Sequence, residues 1–302
     1  MEKVVVLGSI NVDTILNIKR LPVPGETMAM SDESNAGGGK GANQAIAAVR
    51  GGAKTTFIAK IGQDHAADFM LDTFKKDGLN MENITVDPKA GTGKAYILLD
   101  DNGQNSILIY GGANQTISVD DVKNAESSIA EADCLISEFE TPIEATLEAF
   151  RIAKKNNVVT ILNPAPAKTD ISEELFQLTD IIVPNETEAE AITGVKAVDK
   201  KSIINSADKL NKMGVKRVII TIGSRGSLYY TDGKDDFVNA YKVSAVDTTA
   251  AGDTFIGYLA AKLDSNLDNM VEAMKFASKA SSIAVQVKGA QNSIPYVDDV
   301  KI

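Results

Sequence analysis

The run Asp247-Thr248-Thr249-Ala250-Ala251-Gly252-Asp253-Thr254 sets a carboxylate beside a stretch of small residues. A strand-like Tyr241–Val246 leads in, and a helix to about Leu263 leads out. At a helix start the first backbone N–H groups have no partner within the helix, and the dipole favours an anion. The small side chains of Ala250, Ala251 and Gly252 let a phosphate come close to those groups. A carboxylate next to a phosphate pocket is electrostatically costly, so Asp253 needs a reason to be there. Taking a proton from an attacking hydroxyl is one such reason. A plain helix cap is the other, although Thr248 and Thr249 already offer caps.

The next candidate is Asn35-Ala36-Gly37-Gly38-Gly39-Lys40-Gly41-Ala42-Asn43-Gln44. It is not a P-loop, because Gly41 follows Lys40 where Ser or Thr is required. Gly37, Gly39 and Ala42 match the loose dinucleotide pattern, but no buried strand runs directly into them. A polyol site fits better: Lys40 and Asn43 bring donors, and the glycines allow close approach. Asn11 and Asp13 project to one side of an extended chain, and an amide beside a carboxylate suits a vicinal diol. Thr221, Gly223, Ser224, Arg225 and Gly226 follow a buried run, where an open α/β sheet holds nucleotides; a plain hairpin is the alternative. Asn185 and Glu188 open a helix after another strand, as a Mg²⁺-phosphate contact or as a cap. Glu140 and Asn163 also lie just after strands.

These positions need a scaffold, and the hydrophobic pattern predicts one. Val4–Gly8, Thr55–Ile61, Cys134–Ser137, Val158–Leu162, Ile181–Val183 and Val218–Thr221 read as buried strands. Helical stretches fall between them at Ala42–Arg50, Ala66–Lys76, Ile143–Asn156, Ser172–Leu178 and Lys201–Met213, and one or two more lie within Asn266–Val287. Strands alternating with helices predict an α/β fold, a mostly parallel sheet with helices on both faces. Two stretches break the rhythm: 14–35 and 93–112 have strand-like alternation and no helix, with a hairpin turn at Asp101-Asn102-Gly103. They are expected to form a small β-sheet inserted in a core of residues 1–13, 36–92 and 113–302. Such a sheet should cover a cleft, pair with another subunit, or both.

Composition narrows the chemistry. The 302 residues carry a formal net charge of −10, which argues against a nucleic-acid partner. An anionic ligand must therefore be held by local donors. His65 is the sole histidine and Cys134 the sole cysteine, so a Ser-His-Asp triad and a His or Cys metal cluster have no candidates. No apolar run reaches the roughly 18 residues needed to span a bilayer. The N-terminal apolar run is too short for a signal peptide, and a cytoplasmic enzyme is expected.

Several segments together resemble one family. They are Gly-Ser-Ile-Asn-Val-Asp at 8–13, Gly-Gly-Lys-Gly-Ala-Asn-Gln-Ala at 38–45, Val-Pro-Asn-Glu-Thr-Glu-Ala-Glu at 183–190, Thr-Ile-Gly-Ser-Arg-Gly at 221–226, Val-Asp-Thr-Thr-Ala-Ala-Gly-Asp-Thr-Phe at 246–255 and Lys-Gly-Ala-Gln-Asn-Ser-Ile-Pro at 288–295. The chain resembles the phosphofructokinase-B type of carbohydrate kinases nearly end to end, on the ribokinase side of that family rather than the fructokinase or adenosine kinase side. The resemblance implies transfer of the γ-phosphoryl of ATP to the 5-hydroxyl of ribose. It implies that Asn11, Asp13, Gly39, Lys40, Asn43 and Glu140 hold the sugar and that Asp253 is the base. Backbone N–H groups of Ala250, Ala251, Gly252 and Asp253 would form the anion hole. Asn185, Thr221, Gly223, Ser224, Arg225, Gly226 and Gly252 would contact ATP, with Ser278 near the adenine and Glu188 helping to place Mg²⁺. Asp247, Thr249, Ala284, Val287, Gly289 and Ser293 would hold a monovalent cation such as K⁺. The inserted sheet would be a lid and the contact surface of a homodimer. Another sugar, a nucleoside or a sugar acid stays open as acceptor. So do a nucleotide-dependent oxidoreductase using Gly37–Ala42 and a sugar-binding regulator without catalysis.

Overall fold

The computed structural model describes residues 1–302. The chain begins with β1 (Lys3–Leu7), β2 (Asn11–Asn17), β3 (Asp32–Gly38), α1 (Lys40–Arg50), β4 (Lys54–Ile61), α2 (His65–Asp77) and β5 (Asn80–Val86). β6 (Gly93–Leu99) and β7 (Asn105–Tyr110) form the expected hairpin, followed by α3 (Val119–Asn124) and α4 (Glu126–Ala130). Then come β8 (Cys134–Ser137), α5 (Ile143–Lys155), β9 (Val159–Leu162), α6 (Glu173–Gln177), β10 (Ile181–Ile182), α7 (Glu186–Thr193) and α8 (Lys200–Lys212). The last elements are β11 (Arg217–Thr221), β12 (Ser227–Thr231), β13 (Lys234–Val238), α9 (Ala251–Lys262) and α10 (Met270–Ala284).

Nine strands form one sheet in the order β13-β12-β11-β10-β9-β8-β1-β4-β5. From β11 through β5 every neighbouring pair is parallel; β12 and β13 add an antiparallel edge. The α/β expectation is therefore met. Continuous apolar strands fit a sheet buried on both faces. In β1, Val4 and Val6 enter one core, with Phe57, Ile136 and Tyr258. Val5 and Leu7 enter the other, with Ile58, Leu135 and Phe150. Each such buried side chain contributes about 1.5–3 kcal/mol relative to exposure.

The breaks in the pattern form a second sheet in the order β3-β2-β6-β7. Its β2 starts at Asn11 and its β3 runs to Gly38, so both polar candidates at 11 and 13 sit on one strand. β7 is an edge strand with Ile107, Leu108, Ile109 and Tyr110 all exposed.

One expected strand is absent. Tyr241–Val246 has no regular structure, and Val243 and Val246 are exposed. Its only ladder-like bond runs from Val246 N–H to the Val285 carbonyl. β-branched residues made the segment strand-like, but no sheet edge is beside it. The first helix starts at Lys40 rather than Ala42, because Gly39 at φ 90° takes the N-cap position.

Two contacts position the site. α1 and α9 cross so closely that a Cβ on Gly257 would stand 2.4 Å from Ala47 Cβ and 2.6 Å from the Gln44 carbonyl oxygen. Arg50 on α1 pairs with Asp77 at 2.8 Å and donates to the carbonyls of Gln291 and Ile294. That fixes the chain beyond Gly289 against α1. No helix is long and apolar enough to cross a membrane.

Candidate active site

A cleft of about 850 Å³ opens between the two sheets. Asn11, Asp13, Gly39, Lys40, Asn43, Glu140 and Asp253 line it, together with Asp247, Thr249, Ala250 and Gly289. The inner face of the second sheet contributes Ile15, Ala95, Ile97, Leu99, Ile107 and Ile109. The cleft lies at the carboxyl ends of the parallel strands, where open α/β sheets bind ligands.

The two glycine-rich helix starts turn out to be unlike. At α1 the protein itself uses the free N–H groups. Lys40 N–H donates to Glu140 Oε2 (3.2 Å), Gly41 N–H to Ser9 Oγ (3.3 Å) and Ala42 N–H to the Ser9 carbonyl (2.9 Å). The bare backbone here receives backbone: a Cβ on Gly39 would meet Asn11 N at 2.7 Å, and one on Gly41 would meet Ser9 N at 2.5 Å. Close packing of the loop, rather than room for a ligand, explains these glycines.

At α9 the start stays open. Neither Thr248 nor Thr249 caps it, since no side chain does; Thr249 Oγ1 turns back to Asp247 Oδ1 (2.6 Å). Ala251 N–H reaches the Thr248 carbonyl, while Gly252 and Asp253 N–H have no protein partner. Ala250 sits at φ 58°, a left-handed conformation that costs a non-glycine residue about 1–2 kcal/mol. A strained residue at an open helix start is a mark of function rather than of stability.

Asp253 is 7% exposed, and both its oxygens are held. Asn43 Nδ2 donates to Oδ2 at 3.0 Å and Gln44 Nε2 to Oδ1 at 3.0 Å. The helix-cap reading of Asp253 thus fails, since its carboxylate faces α1 and not its own backbone.

Around it the charges are dense. Burial, then the negative charges of Glu140 and Asp253, push Asp13 up to about 7. Burial would lower Lys40, but the carboxylates of Asp253, Glu140, Glu138 and Glu188 outweigh it and raise its pKa, so it stays charged. Glu140 Oε2 accepts from Ser9 Oγ at 2.6 Å and from Asn11 Nδ2 at 3.5 Å. Behind it Glu138, fully buried, accepts from the N–H groups of Ser9 and Glu140; burial and the nearby Glu140 raise its pKa.

Asn114 was not legible as a site residue. It exchanges hydrogen bonds with both backbone groups of Ile10 and donates to Asn11 Oδ1 at 2.9 Å. Residue type alone does not mark Glu138, Ser9 or Gln44 as site residues either. Their one signal is polarity at positions just beyond buried strands or inside an apolar helix.

The remaining candidates lie outside the cleft. Asn185 and Thr221 are adjacent through an isolated parallel bridge. Asn185 and Glu188 form a complete capping box, both Glu188 oxygens accepting from Asn185. Burial raises Glu188, with Asp253 adding to the effect and Lys40 opposing it. Residues 223–225 form the turn of a β11–β12 hairpin, so the hairpin reading of this segment is correct in form. Arg225 pairs with Glu186. Ser278 is half-buried on α10, one turn from Ser281, whose Oγ donates to the Ala251 carbonyl at 2.8 Å. His65 is fully exposed.

Asp247 gathers part of the expected cation set. Its Oδ2 accepts from Gly289 N–H (2.9 Å) and its Oδ1 from Thr249 N–H (2.9 Å). Burial would raise its pKa, but these bonds and Lys288 hold it below the usual carboxylate range. The Val285 carbonyl accepts from Val246 and Asp247 N–H, which joins the end of α10 to this loop. Three of the six expected residues, Asp247, Thr249 and Gly289, are thus joined by hydrogen bonds. For Mg²⁺ the chain has no group of three or more carboxylate, His or Cys side chains that could hold an ion.

A buried carboxylate beside free helix N–H groups at the wall of the cleft is an arrangement that suits phosphoryl transfer to a hydroxyl. The profile described as pfkB family carbohydrate kinase matches residues 1–296, and the chain belongs to that family. It is 48% identical over 299 residues to a ribokinase of Staphylococcus aureus, covering 99% of this chain and 98% of that protein. It is 50% identical over 296 residues to a bifunctional ribokinase/ribose-5-phosphate isomerase A of Fructilactobacillus sanfranciscensis; it covers 98% of this chain but spans 55% of that longer protein. Among solved structures it is similar to Arabidopsis thaliana ribokinase complexed with ribose and ATP, with a TM-score of 0.93 at 32% identity, over 99% of this chain and 98% of that one. The family assignment removes the basis of the oxidoreductase reading. So does the topology, since the Gly37–Ala42 loop follows β3 of the second sheet and not a central strand.

Proposed function

We propose that this protein is an ATP-dependent ribokinase that converts D-ribose and ATP to ribose 5-phosphate and ADP. The observation that carries this is the setting of Asp253: buried, held by two amides, and one residue from backbone N–H groups that point outward unpaired. The ribokinase likeness over nearly the whole chain supports ribose as acceptor.

In this reading Asn11, Asp13, Lys40, Asn43 and Glu140 hold the sugar hydroxyls, with Gly39 keeping their loop compact. Asp253 takes the proton from the 5-hydroxyl as it attacks. The N–H groups near Ala250, Ala251, Gly252 and Asp253 stabilise the charge that develops on the transferred phosphoryl. Asn185 and the 221–226 turn lie along the nucleotide, with Ser278 toward its base. Mg²⁺, placed with the help of Glu188, would neutralise phosphate charge. A K⁺ ion held by Asp247, Thr249, Ala284, Val287, Gly289 and Ser293 would add positive potential to the anion hole.

The second sheet acts as a lid in this reading, its inner face closing the cleft. The apolar edge at β7 supports a homodimer through the lid, because a long exposed apolar edge is an association site. A cytoplasmic setting follows from the need for ATP.

The deciding experiment is ADP release with a panel of acceptors: ribose, deoxyribose, fructose, adenosine and a sugar acid. Ribose should give the highest kcat/KM. Another acceptor ahead of it by tenfold or more would replace the ribose assignment.

A further inference from the structure

We propose that Gln44 is a dedicated positioning residue for the base. The proposal rests on the reading of Asp253 as the base.

Asp253 takes one hydrogen bond on each oxygen, and both donors come from consecutive residues of α1. A carboxylate only accepts, so each amide must turn its NH₂ group toward it. The opposite ends of the amides are therefore fixed as acceptors. Asn43 Oδ1 and Gln44 Oε1 are both buried without a donor.

The two residues differ in where they sit. Asn43 lines the cleft, whereas Gln44 does not and is 0% exposed. Asn43 thus stands at the cleft wall while its Nδ2 holds Asp253. Gln44 has no route to substrate. Its amide serves the carboxylate alone, and the α1–α9 contact at Gly257 prevents either partner from sliding away.

A carboxylate with two rotatable bonds would otherwise lean toward the charge of Lys40. Asp13 and Glu188 also face this carboxylate and repel it. Two fixed donors set one rotamer against these pulls, which keeps the lone pair aimed at the acceptor hydroxyl.

The test is a double-substitution cycle on the full-length protein with Gln44→Met and Asp253→Asn, read by kcat, ribose KM and thermal midpoint. Gln44→Met should lower kcat by about tenfold, the worth of one hydrogen bond to a charged group. Ribose KM should stay within about twofold. In the Asp253→Asn background the same change should cost little further, because the group it positions is gone. Equal loss in both backgrounds would overturn the proposal, and so would unchanged kcat in the single variant. Should Gln44→Met fail to fold, Gln44→Leu carries the same cycle. Ile46→Val, on the same helix and away from the carboxylate, should lower the thermal midpoint without lowering kcat; a kcat loss equal to that of Gln44→Met would make the effect structural. A failure of the base assignment itself reads differently: Asp253→Asn alone would then keep near-normal turnover.

Discussion

Asn114 fixes the direction in which the Asn11 amide faces. Its Nδ2 donates to Asn11 Oδ1 at 2.9 Å, so the Asn11 NH₂ group is turned toward Glu140 and the cleft. The same side chain satisfies Ile10 N–H and its carbonyl. One buried amide therefore presets a donor at the proposed sugar position.

Asn114→Ala should raise the ribose KM by about tenfold and leave the ATP KM unchanged. It should also cost about 1–3 kcal/mol of stability, because buried backbone groups lose a partner. Steady-state kinetics in both substrates and a urea titration check this. A shift confined to the ATP KM would contradict the assigned direction of the amide.

Asp253→Asn should keep the fold and ribose binding while turnover falls by roughly 10²–10⁴-fold, the usual worth of general-base help. Calorimetric titration with ribose and single-turnover kinetics separate the two effects. Turnover within a few-fold of the parent protein would remove Asp253 from the role of base.

Asp13 predicts a pH dependence of stability. Burial and the charges of Glu140 and Asp253 raise it to about 7, against an ordinary 3.8 in the unfolded chain. Between those values the folded protein keeps a proton that the unfolded chain releases. Stability is therefore lost as pH rises toward 7, by up to about 1.4 kcal/mol per pH unit. Asp13→Asn removes that slope. In sugar-free protein the variant should gain on the parent from pH 5 to pH 8, as read by urea midpoints. A constant gap between the two would show that Asp13 does not hold the proton.

Two glycines of α9 should respond in opposite ways to alanine. Nothing lies within 4 Å of a Cβ built on Gly252, and it is exposed at the open helix start. Gly252→Ala should gain up to about 1 kcal/mol in helix stability. Its methyl group would crowd the proposed phosphate position, so turnover should drop. Gly257→Ala should instead lose about 1–3 kcal/mol through overpacking against α1. Thermal melts paired with kcat measurements test both, and equal stability changes in the two variants would refute the contrast.

The parallel sheet is legible because its strands are short, mostly apolar and spaced by helices, as with Cys134–Ser137 and Ile143–Lys155. The second sheet was legible from its loss of helical period and its Asn-Gly turn. The Tyr241–Val246 segment misled for the reason that β-propensity measures fit to a pleated neighbour, and here there is none. In the site, Asp253 and Lys40 stand out as charged residues among small ones at helix starts, and Asn11 by its place after a strand. Gln44, Asn114 and Glu138 do not, because their roles come from partners far along the chain. Gln44 meets a residue 209 positions away, and Asn114 one 103 positions away. Only the folded topology brings such pairs together.

The contact at Gly257 leaves no space for a single added carbon between α1 and α9. The separation between the proposed base, the helix start that would receive phosphate and the loop that begins α1 is therefore a fixed datum of the molecule. A redesign for a longer or shorter acceptor has one side to work on: the strand carrying Asn11 and Asp13, and the sheet beyond it. Under the proposed role of Asp253, a new acceptor must bring its hydroxyl to that carboxylate, which α1 and α9 hold in place.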